Sequence, residues 1–122
     1  MKLLRVGPKG SEKPALLDST GTIRDLSGHI DDIAGAVLSD AGLAQLRALD
    51  PATLPAVPDG IRIGPCVGQI GKLCCVGLNY SDHAAETGHP IPDEPILFGK
   101  AVTSISGPND DIETPRGSDA LD

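Results

Sequence analysis

Residues 77–88, with the sequence Gly-Leu-Asn-Tyr-Ser-Asp-His-Ala-Ala-Glu-Thr-Gly, carry the side chains best suited to acid–base chemistry. His83 and Glu86 lie three positions apart and therefore share one face if the segment is helical. A carboxylate beside an imidazole orients the ring and favours its protonated form, so the pair could act as a general base towards water. On spacing alone an exposed surface pair is the simpler interpretation. The position directly after a strand predicted to be buried raises the catalytic interpretation to equal standing with it.

The ends of a short helix can be predicted within this segment. Asn79 is suited to the N-cap, and Asp82 three positions later fits the acidic position of a capping box. Gly88 fits the residue just after the helix, where a left-handed backbone is common. The preceding run, residues 73–77, is apolar on both faces and is therefore predicted to be an interior strand that the chain leaves through Gly77.

A metal site is the competing interpretation of the same residues. His83, Glu86 and His89 could supply imidazole and carboxylate ligands. His89, however, falls beyond the predicted end of the helix and is followed by Pro90, so we favour the proton-transferring pair. His29 has no acidic neighbour on a shared face and is predicted to be a solvated loop residue.

The whole pattern predicts an α+β protein in two parts, a small strand-and-helix domain over residues 1–60 and a second part over residues 61–122. In the first part, strands are predicted at 3–6, 15–18 and 22–26, the last two joined by a hairpin turn. Helical spacing within residues 30–49 predicts two short helices, the second capped by Ser39 or Asp40. Residues 51–60 contain three prolines and a glycine, which indicates either a linker or an extended segment within one domain.

The second part is predicted to contain strands at residues 61–63, 66–67, 73–77, 95–100 and 112–115. The three cysteines, Cys66, Cys74 and Cys75, lie in these apolar runs. They form no CxxC motif, and their odd number argues against a disulfide framework. They are therefore predicted to be small buried apolar residues.

Charge and composition exclude several classes of partner. The 122 residues suffice for one domain of ordinary size, and 10 Lys and Arg against 17 Asp and Glu give a net charge of −7. There is no basic run and only two aromatic residues, which argues against nucleic acid and against an anionic membrane surface. The N-terminal residues are charged too early for a secretory signal, so a cytoplasmic protein is expected.

Three blocks of sequence, in this order and near these spacings, resemble the fumarylacetoacetate hydrolase family. They are residues 77–88, residues 92–100 (Pro-Asp-Glu-Pro-Ile-Leu-Phe-Gly-Lys) and residues 106–115 (Ser-Gly-Pro-Asn-Asp-Asp-Ile-Glu-Thr-Pro). The resemblance covers residues 61–122 and is specific, whereas residues 1–60 resemble the small N-terminal domain of bacterial members far less specifically. Within the family, the chain is most similar to members described as ureidoglycolate lyase or 2-hydroxyhepta-2,4-diene-1,7-dioate isomerase.

This resemblance implies a mixed β-roll catalytic domain, a homodimer, and a Mg²⁺ or Mn²⁺ ion that holds a 2-oxo or 1,3-dioxo acid as its enolate. Hydrolysis, lyase cleavage, decarboxylation or isomerisation would then follow. By position, His83 and Glu86 match the family's His–Glu pair on a short lid helix. Tyr80 and Lys100 are implied to contact the substrate, Lys100 as a point charge for a carboxylate. Spacing alone would make Lys100 a solvent-facing strand residue.

One part of the family pattern is missing from the sequence. The family's metal ligands are a Glu-x-Glu pair and a later Asp, and the pattern would place that pair just after Asp122. We therefore expect the lid-bearing N-terminal part of an enzyme that acts on a small carboxylic acid, without a metal site and inactive by itself. The alternative is a non-catalytic fragment or interaction module that needs a complementary chain.

Overall fold

The computed structural model describes residues 1–119, which form two compact units. One unit comprises Met1–Gln69 and the residues from Ser106 onward, and the other is Ile70–Ile105. Each contains one small antiparallel sheet and short helices, so the α+β class is confirmed. The mixed β-roll and a domain boundary at residue 60 stay predictions.

The sheet of the first unit has three strands in the order β1–β2–β3, as the apolar runs predict. The strands are β1 (Lys2–Val6), β2 (Lys13–Leu17) and β3 (Ile23–Asp25). All neighbours are antiparallel. Pro14, Ala15 and Leu16 of the central strand are all buried, because both faces of that strand are covered.

Both outer edges of this sheet are closed by segments that are not themselves regular strands. At the β3 edge, Asp25 N donates to Pro55 O at 2.9 Å and Val57 N donates to Ile23 O at 2.8 Å. At the β1 edge, residues 62–64 bond in the same way, with Gly64 N donating to Arg5 O at 2.8 Å. Closing an edge removes an open template for strand pairing. The proline-rich stretch is thus an extended segment packed on the sheet, one of the two interpretations that its composition allows.

Helix α1 (Asp40–Arg47) begins where the sequence predicts it. The hydroxyl of Ser39 accepts a hydrogen bond from Gly42 N at 3.2 Å, which confirms Ser39 as the N-cap. The predicted first helix is only a 3₁₀ turn, Gly35–Leu38, and a second such turn, Pro51–Thr53, follows α1. No helix among the described residues has the length and apolarity needed to cross a membrane.

The core of this unit lies between the sheet, helix α1 and the segment after it. Its buried members are four leucines. Leu16 lies in the sheet, Leu46 in α1 and Leu54 in the segment after α1, and Leu26 directly follows β3. Partly buried aliphatic side chains complete it, namely Leu3, Ile30, Val37 and Leu49. With so few aromatic side chains available, leucine supplies most of the buried apolar area.

The second unit is built around a two-stranded hairpin. Strand β4 (Leu73–Gly77) pairs antiparallel with β5 (Ile96–Lys100), so that Leu73 lies opposite Lys100 and Gly77 opposite Ile96. Helix α2 (Ser81–Glu86) follows β4, and a 3₁₀ turn, Val102–Ser104, follows β5.

Strand β4 is not an interior strand in the described structure, contrary to the prediction. Its residues alternate between half-buried and exposed, and every residue of β5 is exposed. Each strand has a single hydrogen-bonded neighbour among residues 1–119, and the apolar side chains of Val76, Leu97 and Phe98 are exposed. The prediction that the cysteines are buried is also wrong: Cys74 and Cys75, in β4, are exposed and half-buried, and Cys66, in an irregular segment, is exposed.

Three further predicted strands are absent from the described structure. Residues 61–63 contribute only an isolated bridge between Ile63 and Val6, and residues 66–67 are irregular. Residues 112–115 are also irregular, because Ile112 is 83 % exposed and Pro115 cannot donate a ladder hydrogen bond. An apolar residue next to a turn is therefore not enough to predict a strand here.

The exposed hairpin is expected to make the isolated 122-residue chain self-associate. Val76, Leu97 and Phe98 are 45, 66 and 44 % exposed, and a two-stranded sheet with apolar side chains on both faces offers open edges for pairing. Sedimentation velocity of the purified chain should show concentration-dependent species larger than 12.5 kDa. The double variant Leu97→Lys/Phe98→Lys should shift the distribution towards monomer. A chain that stays monomeric at all concentrations would contradict this prediction.

Candidate functional site

Helix α2 carries the predicted catalytic pair, and its N-terminal end differs from the prediction by one residue. The N-cap is Tyr80, with φ −124° and ψ 134°, and its side chain makes no capping hydrogen bond. Asn79 therefore precedes the cap. The carboxylate of Asp82 accepts from the backbone N–H of His83 at 2.8 Å rather than reaching back to close a capping box.

The C-terminal end of α2 is formed as the sequence predicts. Gly88 follows the last helical turn with φ +68°, a conformation that glycine adopts without steric cost. Its N–H donates to Ala85 O at 3.2 Å, and His89 N donates to Ala84 O at 2.9 Å. These two bonds are those of a Schellman motif. They fix the backbone of His89 at the end of the helix, beyond its last turn.

His83 and Glu86 share α2, and both side chains are exposed. The buried residue of the helix is Ala84, so α2 packs through a methyl group and presents its functional groups to solvent. Among the described residues, neither a hydrogen bond nor an ion pair joins His83 to Glu86. The structure thus brings the pair onto one helix without forming the carboxylate–imidazole contact that would orient the ring.

The two predicted substrate contacts lie at different ends of this unit. Tyr80 is 71 % exposed and immediately precedes α2. Lys100 is exposed and pairs with Leu73 at the far end of the hairpin from Gly77. Four residues at about 3.4 Å each separate Lys100 from Ile96, or roughly 14 Å along the strand. The hairpin register therefore does not bring Lys100 to the residue that leads into α2, and its role stays a prediction.

A metal centre is not formed by the described part of the chain. Residues 1–119 contain no group of three or more His, Cys, Asp or Glu side chains that could hold a metal ion. His83, Glu86 and His89 do not converge into such a group. The residues described here do not fit a divalent cation, and no chemical step can be assigned to one.

Sequence reasoning missed a chain of alternating charges in the first unit. Asp32, Arg5, Glu12, Arg62 and Asp110 form it in that order. Arg5 Nε is 2.7 Å from Asp32 and its guanidinium 3.7 Å from Glu12. Arg62 is 2.8 Å from Glu12 and 2.6 Å from Asp110. The hydrogen-bonded partners are 27 to 50 residues apart along the chain, and only Arg5 and Glu12 are closer in sequence, so no local motif could have revealed the network.

These ion pairs have electrostatic consequences that indicate a structural role. The Arg62 guanidinium, bonded through two nitrogens, lowers the pKa of Asp110 from 3.8 to about 2. Its hydrogen bond also lowers the pKa of Glu12. A cleft of about 500 Å³ adjoins this network, with Lys9, Asn109 and Glu113 in its lining. Because the carboxylates of Asp110 and Glu12 are already satisfied by Arg62, the cleft is not a preorganised cation site.

A glycine stands against each carboxylate of the charge chain. A Cβ atom on Gly64 would lie 2.7 Å from Glu12 Cγ, and one on Gly68 would collide with the carboxylate of Asp32. At Gly107 a Cβ atom would collide with the carbonyl oxygen of Ile63 and lie 3.0 Å from Asp110 Oδ2. The three glycines therefore provide the space in which the half-buried charges meet their partners.

Gly107→Ala is expected to destabilise the first unit by about 1–3 kcal/mol, because the added methyl group would overpack a site bounded by backbone. Urea denaturation followed by circular dichroism measures the change. Gly28→Ala is the matched control, since nothing lies within 4 Å of a Cβ atom there and its backbone does not require glycine. Equal midpoints for the two variants would refute the steric role of Gly107.

The network also predicts a loss of stability in acid. The folded state lowers the pKa of Asp110, so the stabilisation is complete above its ordinary value of 3.8 and is lost as the pH falls towards about 2. Thermal denaturation between pH 6 and pH 2 should show the melting temperature falling most steeply below about pH 4. Asp110→Asn should lower stability at pH 6 and flatten this dependence, whereas the exposed Asp59→Asn should not. An unchanged slope in Asp110→Asn would contradict the assignment.

Comparison with known proteins adds a family match to this geometry. Residues 72–122, which include β4, α2 and β5, match the family model described as the C-terminal domain of fumarylacetoacetate (FAA) hydrolase. Similar proteins occur in Burkholderia orbicola and Burkholderia multivorans, each 65 % identical, and in Burkholderia cenocepacia, 64 % identical. All three bear the name "putative hydrolase".

The matches cover nearly all of this chain but less than half of each relative. Each similarity runs over 118 residues, which is 97 % of this chain and 42 % of the relative. The chain therefore spans less than half the length of the curated relatives that it matches. The family model covers the helix with the candidate pair and the hairpin that precedes and follows it. The resemblance to the fumarylacetoacetate hydrolase family that the sequence motifs indicate is therefore confirmed over residues 72–122.

Proposed function

We propose that this chain supplies the proton-transferring side chains of a hydrolase that acts on a small 2-oxo or 1,3-dioxo carboxylic acid. The observation that carries the proposal is the position of His83 and Glu86. Both are exposed on a short helix within the segment that matches the family model. His83 is exposed on a helix whose single buried residue is Ala84. A substrate can therefore reach the imidazole without first displacing other protein groups.

The chemistry assigned to this chain is general base catalysis of hydrolysis. His83 takes a proton from water, the resulting hydroxide adds to one carbonyl carbon of a 1,3-dioxo substrate, and the bond from that carbon to the carbon between the two carbonyl groups breaks. The electron pair of that bond leaves as an enolate, which then takes up a proton. Glu86 would turn towards His83 when substrate is bound and stabilise the imidazolium that forms. Catalytic hydrogen bonds are often absent or long before substrate binds, so the separation of the two side chains is compatible with this role.

Two features of the resemblance remain expectations under this proposal. A Mg²⁺ or Mn²⁺ ion is expected from the resemblance alone, and the described residues form no site for it. Tyr80 and Lys100 are retained as candidate contacts to substrate. Of the two, Tyr80 is favoured, because it adjoins α2 and its ring is largely exposed. Homodimerisation and a location in the cytoplasm likewise stay proposals.

The second candidate function is an interaction module that works with a complementary chain. The apolar hairpin favours it, because Ile96, Leu97 and Phe98 are all at least 44 % exposed. The two candidates are compatible if the complementary surface belongs to the same enzyme. They differ in whether His83 takes part in a reaction.

A hybrid protein tests the proposed function directly. Residues 1–122 replace the matching 118-residue segment of the Burkholderia orbicola relative, which is 65 % identical. The hybrid and the unmodified relative are assayed with a panel of 2-oxo and 1,3-dioxo acids, with and without added Mg²⁺ or Mn²⁺, by loss of enol absorbance. Turnover by both proteins of the same acid supports the proposal. A relative that is active beside a correctly folded but inactive hybrid would refute it for this chain.

A further inference from the structure

The chain turns from β4 towards α2 through a residue in an unusual backbone conformation. Leu78 has a φ of +48°, in the left-handed region that L-residues other than glycine, asparagine and aspartate rarely adopt. Within residues 1–119 only Gln69 shares this feature among residues other than glycine. Such outliers persist where the surrounding structure fixes them, and they are concentrated at functional sites.

The neighbours of Leu78 make its conformation more informative. Gly77 and Asn79 both tolerate positive φ better than leucine does, yet neither adopts it. Sequence reasoning therefore places the turn at Gly77, whereas the structure places it one residue later. Gly77 is held in the hairpin opposite Ile96, and the side chain of Leu78 is half-buried. The left-handed conformation thus falls on the first residue beyond the last pair of the hairpin.

Helix α2 has few other features that could set its direction. It has six residues, its N-cap makes no side-chain hydrogen bond, and Ala84 is its single buried residue. A helix this short is not stable alone and depends on its connections. Left-handed residues lie on both sides of it, Leu78 before and Gly88 after. Of these, only Leu78 adopts the conformation against its own preference.

We propose that Leu78 is a positioning residue whose left-handed backbone aims α2, and with it His83 and Glu86, away from the end of β4. A change of φ at this residue would rotate everything that follows it, and His83 is five residues on. Leu78 does not itself touch the reacting atoms in this scheme. Its effect on catalysis rests on the proposed function, but its effect on α2 does not.

The test compares substitutions by their tolerance of positive φ rather than by their size. Leu78→Asn allows the left-handed conformation and loses an apolar side chain, whereas Leu78→Ile keeps the apolar volume and disfavours the conformation because isoleucine is β-branched. Leu78→Gly and Leu78→Ala form a second pair, since both remove the side chain and only glycine accepts positive φ freely. A packing role would order the first pair in the opposite way.

The first readout is hydrogen exchange in the 122-residue chain. The relevant amides are those of Ala84 and His89, which donate to Tyr80 O and Ala84 O. Exchange at both should be about five- to thirtyfold faster in Leu78→Ile than in Leu78→Asn, and faster in the alanine variant than in the glycine variant. The amide of Gly64, bonded to Arg5 O in the first unit, should not change. It reports whether each variant is folded.

A matched control uses the other strained residue. Gln69→Ile creates the same backbone conflict outside the turn into α2, and it should leave exchange at Ala84 unchanged. Equal exchange in Leu78→Ile and Leu78→Asn, or faster exchange in Leu78→Asn, would overturn the proposal. So would an effect of Gln69→Ile at Ala84 as large as that of Leu78→Ile.

Kinetics of the hybrid protein provide the second readout. Leu78→Ile should lower kcat about tenfold with little change in KM, because a misdirected base leaves ground-state binding intact. Leu78→Asn, which accepts positive φ, should keep most of the kcat of the unsubstituted hybrid. A fall confined to KM would contradict positioning of the base. If the relative turns over an acid and the folded hybrid does not, the proposed function fails, while the exchange measurements still decide the role of Leu78.

Discussion

His83→Ala in the active hybrid protein is expected to lower kcat by about 100- to 10,000-fold, which is the usual contribution of a positioned general base. The imidazole is exposed on α2 in the segment that matches the family model, and no other histidine lies within that helix. Steady-state kinetics with the acid turned over by the hybrid measure the effect. KM should change little, because the base acts on the reacting proton rather than on substrate binding.

Substitution of Glu86 tests whether His83 acts as part of a catalytic pair or as an isolated base. Glu86→Gln should lower kcat less than His83→Ala, since the ring loses its orienting charge but keeps its nitrogen. The double variant should be only slightly slower than His83→Ala alone, because residues that act as a unit are not additive. An unchanged kcat in His83→Ala would show that the two side chains are surface residues that take no part in catalysis. Loss of Mg²⁺ binding in that variant, measured by titration calorimetry, would show instead that the imidazole is a ligand.

Leu26→Ala is expected to reduce the free energy of unfolding of the first unit by about 2–5 kcal/mol. Leu26 is fully buried in the leucine core, where a deleted side chain leaves a cavity that the sheet and helix α1 cannot fill. A domain of this size has a total stability of about 5–15 kcal/mol, so the change removes a large share of it. Urea denaturation monitored by circular dichroism at low protein concentration measures the loss.

Leu38→Ala is the matched control for this core position. Leu38 is 39 % exposed at the end of a 3₁₀ turn, so the same chemical change should cost less than about 1 kcal/mol. A similar loss in both variants would indicate that the unfolding transition does not report the leucine core. A loss below 1 kcal/mol for Leu26→Ala would contradict the packing described here.

Sequence patterns predicted local features well where the signal and its cause lie within a few residues. The hydroxyl of Ser39 caps α1, and Gly88 ends α2, because each forms its bonds with neighbouring backbone. Strands β1 to β5 follow the apolar runs. The same reasoning placed His83 and Glu86 on one helix, which the structure confirms, while their catalytic role stays a prediction.

Features that depend on distant partners could not be predicted from the sequence. Arg62 joins Glu12 and Asp110, which are 50 and 48 residues away, and its spacing to neighbouring charges gives no sign of this. The prediction that β4 is an interior strand was wrong, because an apolar run indicates what a strand can pack against but not how many strands lie beside it. The turn at Leu78 was missed because a favourable residue, Gly77, stands next to it.

The glycines beside the carboxylates of the charge chain constrain how this sequence can vary. Gly64 and Glu12 occupy a shared volume, as do Gly68 and Asp32, whereas Gly107 is limited mainly by the backbone carbonyl of Ile63. A larger residue at position 64 becomes tolerable only after position 12 has been shortened, and that change would leave Arg62 without one of its two carboxylates. Each single step therefore passes through a poorly folded intermediate. Among homologues, these positions should change together in pairs, so that evolutionary covariation would record a structural constraint that no single sequence displays.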